Sequence, residues 1–475
     1  MKNIIGREKE ISRIDRAVAE QEAQLIMVYG RRRVGKTFLI NEYFEDNFAF
    51  RFTGSLDQTN REQLKNFSME LSSYSKKKCD VPGDWTEAFF LLREYLEENL
   101  KLSGKNRKTV VFFDELPWMD KAKSGFFSAF EWFWNSWGAS RKNLIFIVSG
   151  SSASWMTKKL DENKGGLFNR QTCRLYLEPF DLRMTELYLQ SRNIFWSRYD
   201  IVRCYMIMGG IPFYLRLISG ELSFNENIDA IFFNKRAELW NEFEHLYHTL
   251  FSNSEQYIRI AEALSKKRYG LTREEIIKST GLSANGVLTK MLADLEKTGF
   301  IRINDTYGYK KREKTYQLSD YYSIFYFRFI MNNYGKDEHL WSNTNDNPKR
   351  HSWEGITFEQ VCKDHISQIK KKLGITGVMT EVSAWSYREE EGVQIDLVID
   401  RRDRVINLCE IKFSTQPYVI DKDYDMNLKK KVKVFREVTG TTKTLTVNMI
   451  TTYGIKRNMY SNYVGKEICM DDLFD

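Results

Sequence analysis

Short runs of consecutive apolar residues recur through the first 150 positions of the chain. They cover residues 25–29, 110–113 and 144–148, and a shorter candidate strand lies at residues 51–56. The segments between them are polar, with apolar positions at helical spacing, as at Ile11 and Ile14 in a predicted helix that ends near Glu20. Buried parallel strands are near-continuous apolar runs because helices cover both faces of the sheet. The pattern therefore predicts an α/β fold built on a parallel sheet.

The first apolar run leads directly into a loop that is bounded by two glycines and followed by a Lys-Thr pair. It fits G-x-x-x-x-G-K-[ST], a loop whose backbone N–H groups surround a polyphosphate while the next helix adds its positive end. Lys36 is expected to reach the β- and γ-phosphates, and the Thr37 hydroxyl to bind Mg²⁺. A chance glycine-rich turn is the alternative. The predicted ATP-binding residues here are Gly30, Arg31, Arg32, Arg33, Val34, Gly35, Lys36, Thr37 and Phe38.

The second long apolar run ends in two carboxylates, Asp114 and Glu115. In open α/β sheets, ligands bind at the carboxyl ends of the strands. Asp114 is therefore expected to hold Mg²⁺ and its water shell, and Glu115 to polarise the water that attacks the γ-phosphate. The alternative is a strand that merely ends in solvated acids. The predicted phosphate-binding loop follows another strand of the same sheet, and this favours a role for both carboxylates at the nucleotide site.

Composition narrows the class of protein. A length of 475 residues suggests about three domains. No apolar run approaches the roughly 18 residues that cross a bilayer, the N-terminus has no long apolar stretch of a secretion signal, and the six dispersed cysteines are typical of reduced thiols. A cytoplasmic protein without a membrane partner is expected. The net charge of +8 permits a nucleic-acid partner without requiring one.

Several motifs in the first 235 residues together resemble the archaeal-type ATPase family, which lies near the STAND branch of AAA+-like P-loop proteins. They are the Gly-Arg-Glu at residues 6–8, the glycine loop, the acidic strand end, the Ser-Gly-Ser at residues 149–151, residues 166–170 and the Gly-Gly-x-Pro at residues 209–212. The resemblance implies ATP hydrolysis, with Ser149 or Ser151 sensing the γ-phosphate. It also implies that Arg170 reaches the γ-phosphate, in cis or from a neighbouring copy. A structural salt bridge is the alternative for Arg170, and other arginines compete for the role.

The middle of the chain has the pattern of a winged helix-turn-helix. A helix is predicted at residues 254–266, a second begins at a Thr272–Glu275 capping box, and a third is expected to begin with Ser283 as its cap. Residues 300–303 and 314–318 are expected to pair as a hairpin. DNA binding through this module and a packing or hinge role are both open. The cations expected at the wing are Lys310, Lys311, Arg312 and Lys314.

The C-terminal third carries carboxylates on two neighbouring predicted strands. Asp396 lies in the first strand, whereas Glu410 and Lys412 lie two apart in the second and so face the same side. Glu359 lies on a preceding helix. Carboxylates can bind Mg²⁺, and a lysine can position or deprotonate a water. The pattern resembles the PD-(D/E)XK nuclease superfamily, although Ile395 stands where the motif has proline.

A surface-charged hairpin is the alternative to that nuclease-like fold.

The resulting domain scheme is a P-loop ATPase core at residues 1–180, a helical lid at 181–250, a winged helix-turn-helix at 251–335 and a nuclease-like domain at 340–475. The expected function is that of an ATP-hydrolysing, AAA+-like switch protein. ATP and Mg²⁺ are its expected cofactors and DNA is its expected partner, and a homo-oligomer is compatible with this function. The alternative is a nucleotide-gated DNA-binding or scaffold protein whose nuclease fold is catalytically silent.

Overall fold

The computed structural model describes residues 4–102, 108–161, 166–167, 170–304, 307, 314–333, 335–387 and 392–475. The chain divides into two compact units, Met1–Pro179 and Phe180–Asp475. Within the described ranges, no helix combines the length and the apolar character that a bilayer-spanning helix needs. Three of the predicted wing cations, Lys310, Lys311 and Arg312, lie outside the described residues.

A five-stranded parallel sheet forms the centre of the first unit. Its strand order is β2-β3-β4-β1-β5, and every neighbouring pair is parallel. The long apolar runs supply the three central strands, whose side chains are almost all buried. The predicted α/β fold with a parallel sheet is therefore confirmed. The strands are β1 (Gln24–Gly30), β2 (Phe50–Thr53), β3 (Thr109–Asp114), β4 (Leu144–Gly150) and β5 (Cys173–Leu177).

The helices of the first unit include a strongly aromatic core layer. Phe133, Trp134 and Trp137 are buried against the sheet, whereas Trp132 on the same helix is exposed. Aromatic side chains at helical spacing thus serve packing at three of these four positions. The helices are α1 (Glu8–Ala19), α2 (Lys36–Phe44), α3 (Asn60–Ser75), α4 (Trp85–Leu102), α5 (Phe126–Ser136) and α6 (Ala153–Met156).

The second unit begins with a group of helices. The Gly-Gly pair after α8 turns the chain, since Gly209 and Gly210 have φ of +61° and +65°. A Cβ on Gly210 would lie 2.0 Å from the Phe180 carbonyl oxygen, so only glycine fits there. The helices are α7 (Leu182–Ser191), α8 (Arg198–Met208), α9 (Pro212–Leu215), α10 (Phe224–Ile228) and α11 (Glu242–Leu250).

Three helices and a small antiparallel sheet follow. The Thr272–Glu275 capping box is present, and β7 pairs with β8 as a hairpin, as predicted. The prediction that Ser283 caps the third helix is wrong. Asn285 is the N-cap of α14, and its side-chain Oδ1 accepts a hydrogen bond of 3.0 Å from the Val287 N–H. The strand order is β6-β8-β7. The elements are α12 (Ser254–Ser265), β6 (Leu271–Thr272), α13 (Arg273–Thr280), α14 (Gly286–Lys297), β7 (Ile301–Asn304) and β8 (Thr315–Leu318).

The remainder of the second unit is built on a mixed five-stranded sheet of order β15-β13-β11-β10-β9. Strand β10 is antiparallel to its neighbours β9 and β11, whereas β13 pairs in parallel with β11, and β15 pairs in parallel with β13. A separate parallel pair joins β12 and β14. The helices are α15 (Tyr321–Phe325), α16 (Leu340–Asn343), α17 (Pro348–Asp364), α18 (Ile366–Leu373) and α19 (Lys422–Thr439). The strands are β9 (Thr380–Tyr387), β10 (Val393–Arg401), β11 (Val405–Lys412), β12 (Tyr418–Val419), β13 (Thr444–Thr451), β14 (Ile455–Lys456) and β15 (Lys466–Cys469).

Short non-α helical turns connect several of these elements. The 3-10 turns are Leu116–Trp118, Gly138–Ser140, Ser461–Tyr463 and Met470–Phe474, and the π-helical turns are Thr157–Asp161, Asp229–Phe233 and Tyr326–Ile330.

Candidate functional site

The loop between β1 and α2 depends on its two glycines. Gly30 has φ of +148°, and a Cβ there would lie 2.3 Å from the Leu177 carbonyl oxygen. Gly35 has φ of +91° and stands at the start of α2. Both torsions are costly for any residue with a side chain. The loop therefore ends at the N-terminus of a helix, where backbone N–H groups and the helix dipole favour an anion.

Lys36 is held inside this loop. Its Nζ donates to the carbonyl oxygens of Gly30 (3.1 Å) and Arg31 (2.9 Å) and to Ser151 Oγ (3.0 Å). Burial lowers the pKa of this ammonium, and the nearby Glu115 and Asp114 carboxylates oppose that effect. A cation is thus fixed within the loop, where a polyphosphate needs one.

Thr37 and Asp114 meet although they are 77 residues apart in sequence. Thr37 Oγ1 donates to Asp114 Oδ2 at 2.8 Å, and Ser149 Oγ donates to Asp114 Oδ1. Because β1 and β3 both flank β4 in parallel, their carboxyl ends lie at one edge of the sheet. A hydroxyl and a carboxylate side by side are the oxygen donors that Mg²⁺ prefers, so these residues fit the ion.

Glu115 directly follows β3 and has an unusual backbone conformation, with φ of +53°. Its Oε2 accepts a hydrogen bond of 3.0 Å from the Ser151 N–H, and its Oε1 accepts from the Ser151 hydroxyl. Lys36 donates to the same hydroxyl. A positive φ in a residue with a side chain costs free energy, and such strain concentrates at functional positions.

The other predicted ATP-site residues differ in exposure. Val34 and Arg31 are buried, whereas Phe38 is exposed on α2. Arg32 lies 5.6 Å from the Trp118 ring centroid, and Arg33 has φ of +74°. Arg170 is exposed, and its N–H donates to the Leu167 carbonyl. Its predicted contact with the γ-phosphate stays a prediction.

A second candidate site lies in the second unit, where a cavity of about 260 Å³ opens between β10, β11 and α19. Asp396, Glu410 and Lys412 all line it, so the structure brings together the three residues that the sequence assigned to two strands. Three of the lining residues were not singled out in the sequence and carry positive charge, namely Arg268, Lys430 and Lys431. The cavity therefore combines carboxylates with cations.

Asp396 lies where β10 leaves its regular pairing with β9. Its Oδ2 accepts from the Ile411 N–H at 3.0 Å, and Gln394 Nε2 donates to its Oδ1 at 3.3 Å. The backbone of β11 thus holds the carboxylate at a fixed orientation, with the Gln394 side chain beside it. Hydrogen bonds to a buried carboxylate offset part of its desolvation cost.

Glu410 is almost fully buried beside Asp396. Its Oε2 accepts from Lys431 Nζ at 2.6 Å and from the Tyr424 hydroxyl at 3.3 Å. Its Oε1 is buried and has no hydrogen-bond partner among the described residues. Burial, and then the Asp396 charge, raise the pKa of Glu410. An unpaired buried carboxylate oxygen is costly without a ligand, and a divalent cation fits it.

Glu359 enters the same region from α17, and its partner is Arg268. Arg268 Nη2 donates to Glu359 Oε1 and lies 3.6 Å from Asp396 Oδ1. Burial, and then the Asp396 charge, raise the pKa of Glu359 to about 7. The sequence analysis did not find Arg268, because this residue lies 91 positions before Glu359 and belongs to no recognisable motif.

Lys412 ends β11 and directs its Nζ toward the Tyr424 ring, 5.1 Å from the centroid. Lys431, and not Lys412, is the lysine that bonds Glu410. Within the described ranges, no group of three or more His, Cys, Asp or Glu side chains has an arrangement that could hold a metal ion. The metal roles predicted for Glu359, Asp396 and Glu410 remain predictions.

Comparison with known sequences finds one matching domain family and two relatives. A family described as an ATPase domain predominantly from Archaea matches residues 4–218. An uncharacterized protein of Methanocaldococcus jannaschii is 24% identical over 413 residues, which are 86% of this chain and 87% of that protein. An uncharacterized ATP-binding protein of the same organism is 45% identical over 42 residues, 9% of this chain and 71% of its own length.

Two solved structures resemble parts of this chain. A Walker-type ATPase of Pyrococcus abyssi is 18% identical, with a TM-score of 0.48, over 69% of this chain and 97% of its own. The ORC2 protein of Aeropyrum pernix, solved with ADPNP and ADP, is 13% identical, with a TM-score of 0.46, over 71% of this chain and 96% of its own.

Proposed function

Because the chain belongs, through residues 4–218, to the ATPase family found predominantly in Archaea, we propose that it is an Mg²⁺-dependent ATP-hydrolysing switch joined to a nuclease-like domain that acts on DNA. The observation that carries the first half is the meeting of Thr37 with Asp114 beside the buried Lys36. The family supports ATPase activity. The metal, the DNA and the nuclease activity are our proposals.

In the ATPase site, each residue has one task in binding or in positioning. Lys36 and the N–H groups of the loop bind the β- and γ-phosphates, and Thr37 with Asp114 would hold Mg²⁺. The ion, when bound, would neutralise negative charge on the phosphates. Glu115 orients the attacking water and accepts its proton, and Ser149 and Ser151 hold the two carboxylates.

The proposed nuclease site rests on the unpaired Oε1 of Glu410 beside Asp396. These two carboxylates would hold Mg²⁺ or Mn²⁺, which supplies charge neutralisation for a phosphodiester. Lys412 positions or deprotonates the attacking water, and the exposed Lys430 draws the DNA backbone toward the cavity. Three antiparallel strands continued by two parallel ones, with α19 packed on them, support the resemblance to nuclease folds.

We also propose that residues 254–318 form a winged helix-turn-helix. Three helices, a three-stranded antiparallel sheet and an exposed Lys314 at the start of β8 support it. Phosphate contacts from such a wing position a protein on DNA without reading its sequence. The net charge of +8 is compatible with this role.

A second candidate function is a nucleotide-gated DNA-binding or scaffold protein with a silent nuclease fold. The contact of Arg268 with Glu359, close to Asp396, favours this alternative, because a cation already lies beside two of the three carboxylates. The two functions differ in one observable, cleavage of a nucleic acid.

The deciding experiment measures cleavage by the full chain. Linear, circular and single-stranded DNA and RNA are incubated with Mg²⁺ or Mn²⁺, without nucleotide, with ATP and with a non-hydrolysable analogue. We expect metal-dependent cleavage that Asp396→Ala removes while ATP binding stays intact. Asp403→Ala, at an exposed carboxylate between β10 and β11, serves as the matched control. Absence of cleavage under all conditions would favour the scaffold function.

A further inference from the structure

Arg268 belongs to the turn between α12 and β6, outside the C-terminal sheet, yet it lines the carboxylate cavity. Its carbonyl oxygen accepts from Gln317 Nε2 at 2.5 Å, which ties its backbone to β8. Gly270 fixes the same turn with φ of +80°, and a Cβ there would lie 2.3 Å from the Tyr316 carbonyl oxygen. The position of Arg268 is therefore set by its place between α12 and β6 and by these contacts with β8.

The Arg268 guanidinium is the counter-charge for two buried acids. It donates to Glu359 and lies 3.6 Å from Asp396 Oδ1, and the side chains of these acids are only 9% and 8% exposed. Two buried carboxylates that repel each other require a cation nearby. The guanidinium supplies one positive charge at the place where a divalent ion would supply two.

The Arg268 side chain is only partly buried. Arg268 is 36% exposed on its side chain, and the Tyr269 ring stacks 5.0 Å from its guanidinium carbon. Glu410 is not engaged by Arg268: its Oε2 bonds Lys431 and Tyr424. Removal of one side chain would therefore release two carboxylates next to a third whose Oε1 is already unpaired in the described structure.

We infer that Arg268 is a built-in competitor of the divalent metal, so that the turn between α12 and β6 keeps the nuclease-like site closed until Arg268 leaves the carboxylates. This inference rests on the proposed function of Asp396 and Glu410 as metal ligands. The regulator of that site is then the positive charge of Arg268, which lies outside the C-terminal sheet.

The test is calorimetric titration of Mn²⁺ into the full chain without nucleic acid. Wild type is compared with Arg268→Ala and with Arg268→Gln, which keeps a hydrogen-bond donor toward Glu359 but removes the charge. We expect both variants to bind Mn²⁺ about 10-fold more tightly or better, the scale of one lost charge-assisted hydrogen bond. Thermal unfolding confirms that each variant is folded, and the glutamine variant decides the question if the alanine variant is not.

Two controls separate this inference from the proposed site. Lys267→Ala removes an adjacent exposed cation and should bind Mn²⁺ like wild type. Arg268→Gln combined with Asp396→Ala should lose the gained affinity. Equal, Asp396-dependent affinity in wild type and both Arg268 variants overturns the closure by Arg268 and leaves the metal site standing. No Asp396-dependent Mn²⁺ binding in any of these proteins overturns the proposed metal site, and the closure with it.

Discussion

Lys36 Nζ lies 3.0 Å from Ser151 Oγ, and Ser151 in turn donates to Glu115 through both its N–H and its hydroxyl. The end of β4 thus connects the cation of the loop to the carboxylate that follows β3. A short network of this kind fixes both charged groups before any nucleotide arrives, which lowers the cost of ordering them on binding.

The first prediction concerns nucleotide binding. Lys36→Ala removes the buried cation that faces the phosphates, so ATP affinity should fall by at least about 10-fold, the scale of a charge-assisted hydrogen bond. Fluorescence titration with a labelled ATP analogue measures it. Lys142→Ala removes an exposed lysine just before β4 and should bind like wild type. Unchanged affinity in the Lys36 variant would refute the assignment.

The second prediction separates hydrolysis from binding. Glu115→Gln keeps the shape of the side chain but removes the charge that orients the water. The variant should bind ATP normally and hydrolyse it about 100-fold more slowly, the scale of a general-base contribution. Phosphate release under saturating ATP and Mg²⁺ is the measurement. Glu94→Gln, on the exposed face of α4, is the control; equal turnover by the Glu115 variant and wild type would exclude the role.

The third prediction divides metal binding from rate in the C-terminal site. Lys412→Ala should leave Mn²⁺ affinity unchanged, because Lys431 and not Lys412 bonds Glu410. Cleavage should slow by about 100-fold if Lys412 activates the water. Lys433→Ala, at an exposed position on α19 where the lysine pairs with the exposed Glu437, is the matched control. A variant that cleaves at the wild-type rate would assign Lys412 to packing against Tyr424.

The fourth prediction concerns the wing. Replacing Lys310, Lys311, Arg312 and Lys314 with alanine should weaken DNA binding and flatten its salt dependence by up to about 0.9 per lost phosphate contact. Fluorescence anisotropy at several salt concentrations measures both quantities. A control variant removes four exposed lysines of the first unit, Lys65, Lys76, Lys77 and Lys78. An equal loss in both variants would indicate a general charge effect instead of a wing contact.

The fifth prediction is a pH dependence of stability. His365 Nε2 accepts from the Leu182 N–H at 3.0 Å, so its proton is on Nδ1, which donates to the Val361 carbonyl at 2.8 Å. Burial lowers the pKa of His365, while Asp364 and Asp181 act in the opposite direction. A lowered folded-state pKa means that stability is full above the unfolded value near 6.5 and is lost as the pH falls through the folded value.

Thermal unfolding of wild type and His365→Gln at pH 7.5 and pH 5.0 measures that contribution. Wild type should lose more stability than the variant between the two pH values, by about 1 kcal/mol, the scale of one buried hydrogen bond. His339→Gln, at an exposed histidine, should follow wild type. An identical loss in wild type and the His365 variant would show that carboxylates alone set the acid sensitivity.

Features that depend on neighbouring residues could be predicted from the amino-acid sequence. The strand, glycine loop and helix of residues 24–44 and the Thr272–Glu275 capping box follow from spacings of a few residues. Strand alternation also placed Glu410 and Lys412 on one face. Local torsions and side-chain periodicity set these features, so they can be predicted before the chain is folded.

Contacts between side chains that are distant in sequence became visible only in the folded chain. Lys431 reaches Glu410 across 21 positions, and Arg268 reaches Glu359 across 91 positions. Even at short range, Asn285 replaced the expected Ser283 as the cap of α14, because the start of a helix depends on how its neighbours pack. Partners of a buried charge are chosen by the packing of distant segments, since the charge requires a counter-charge but no local pattern specifies which one.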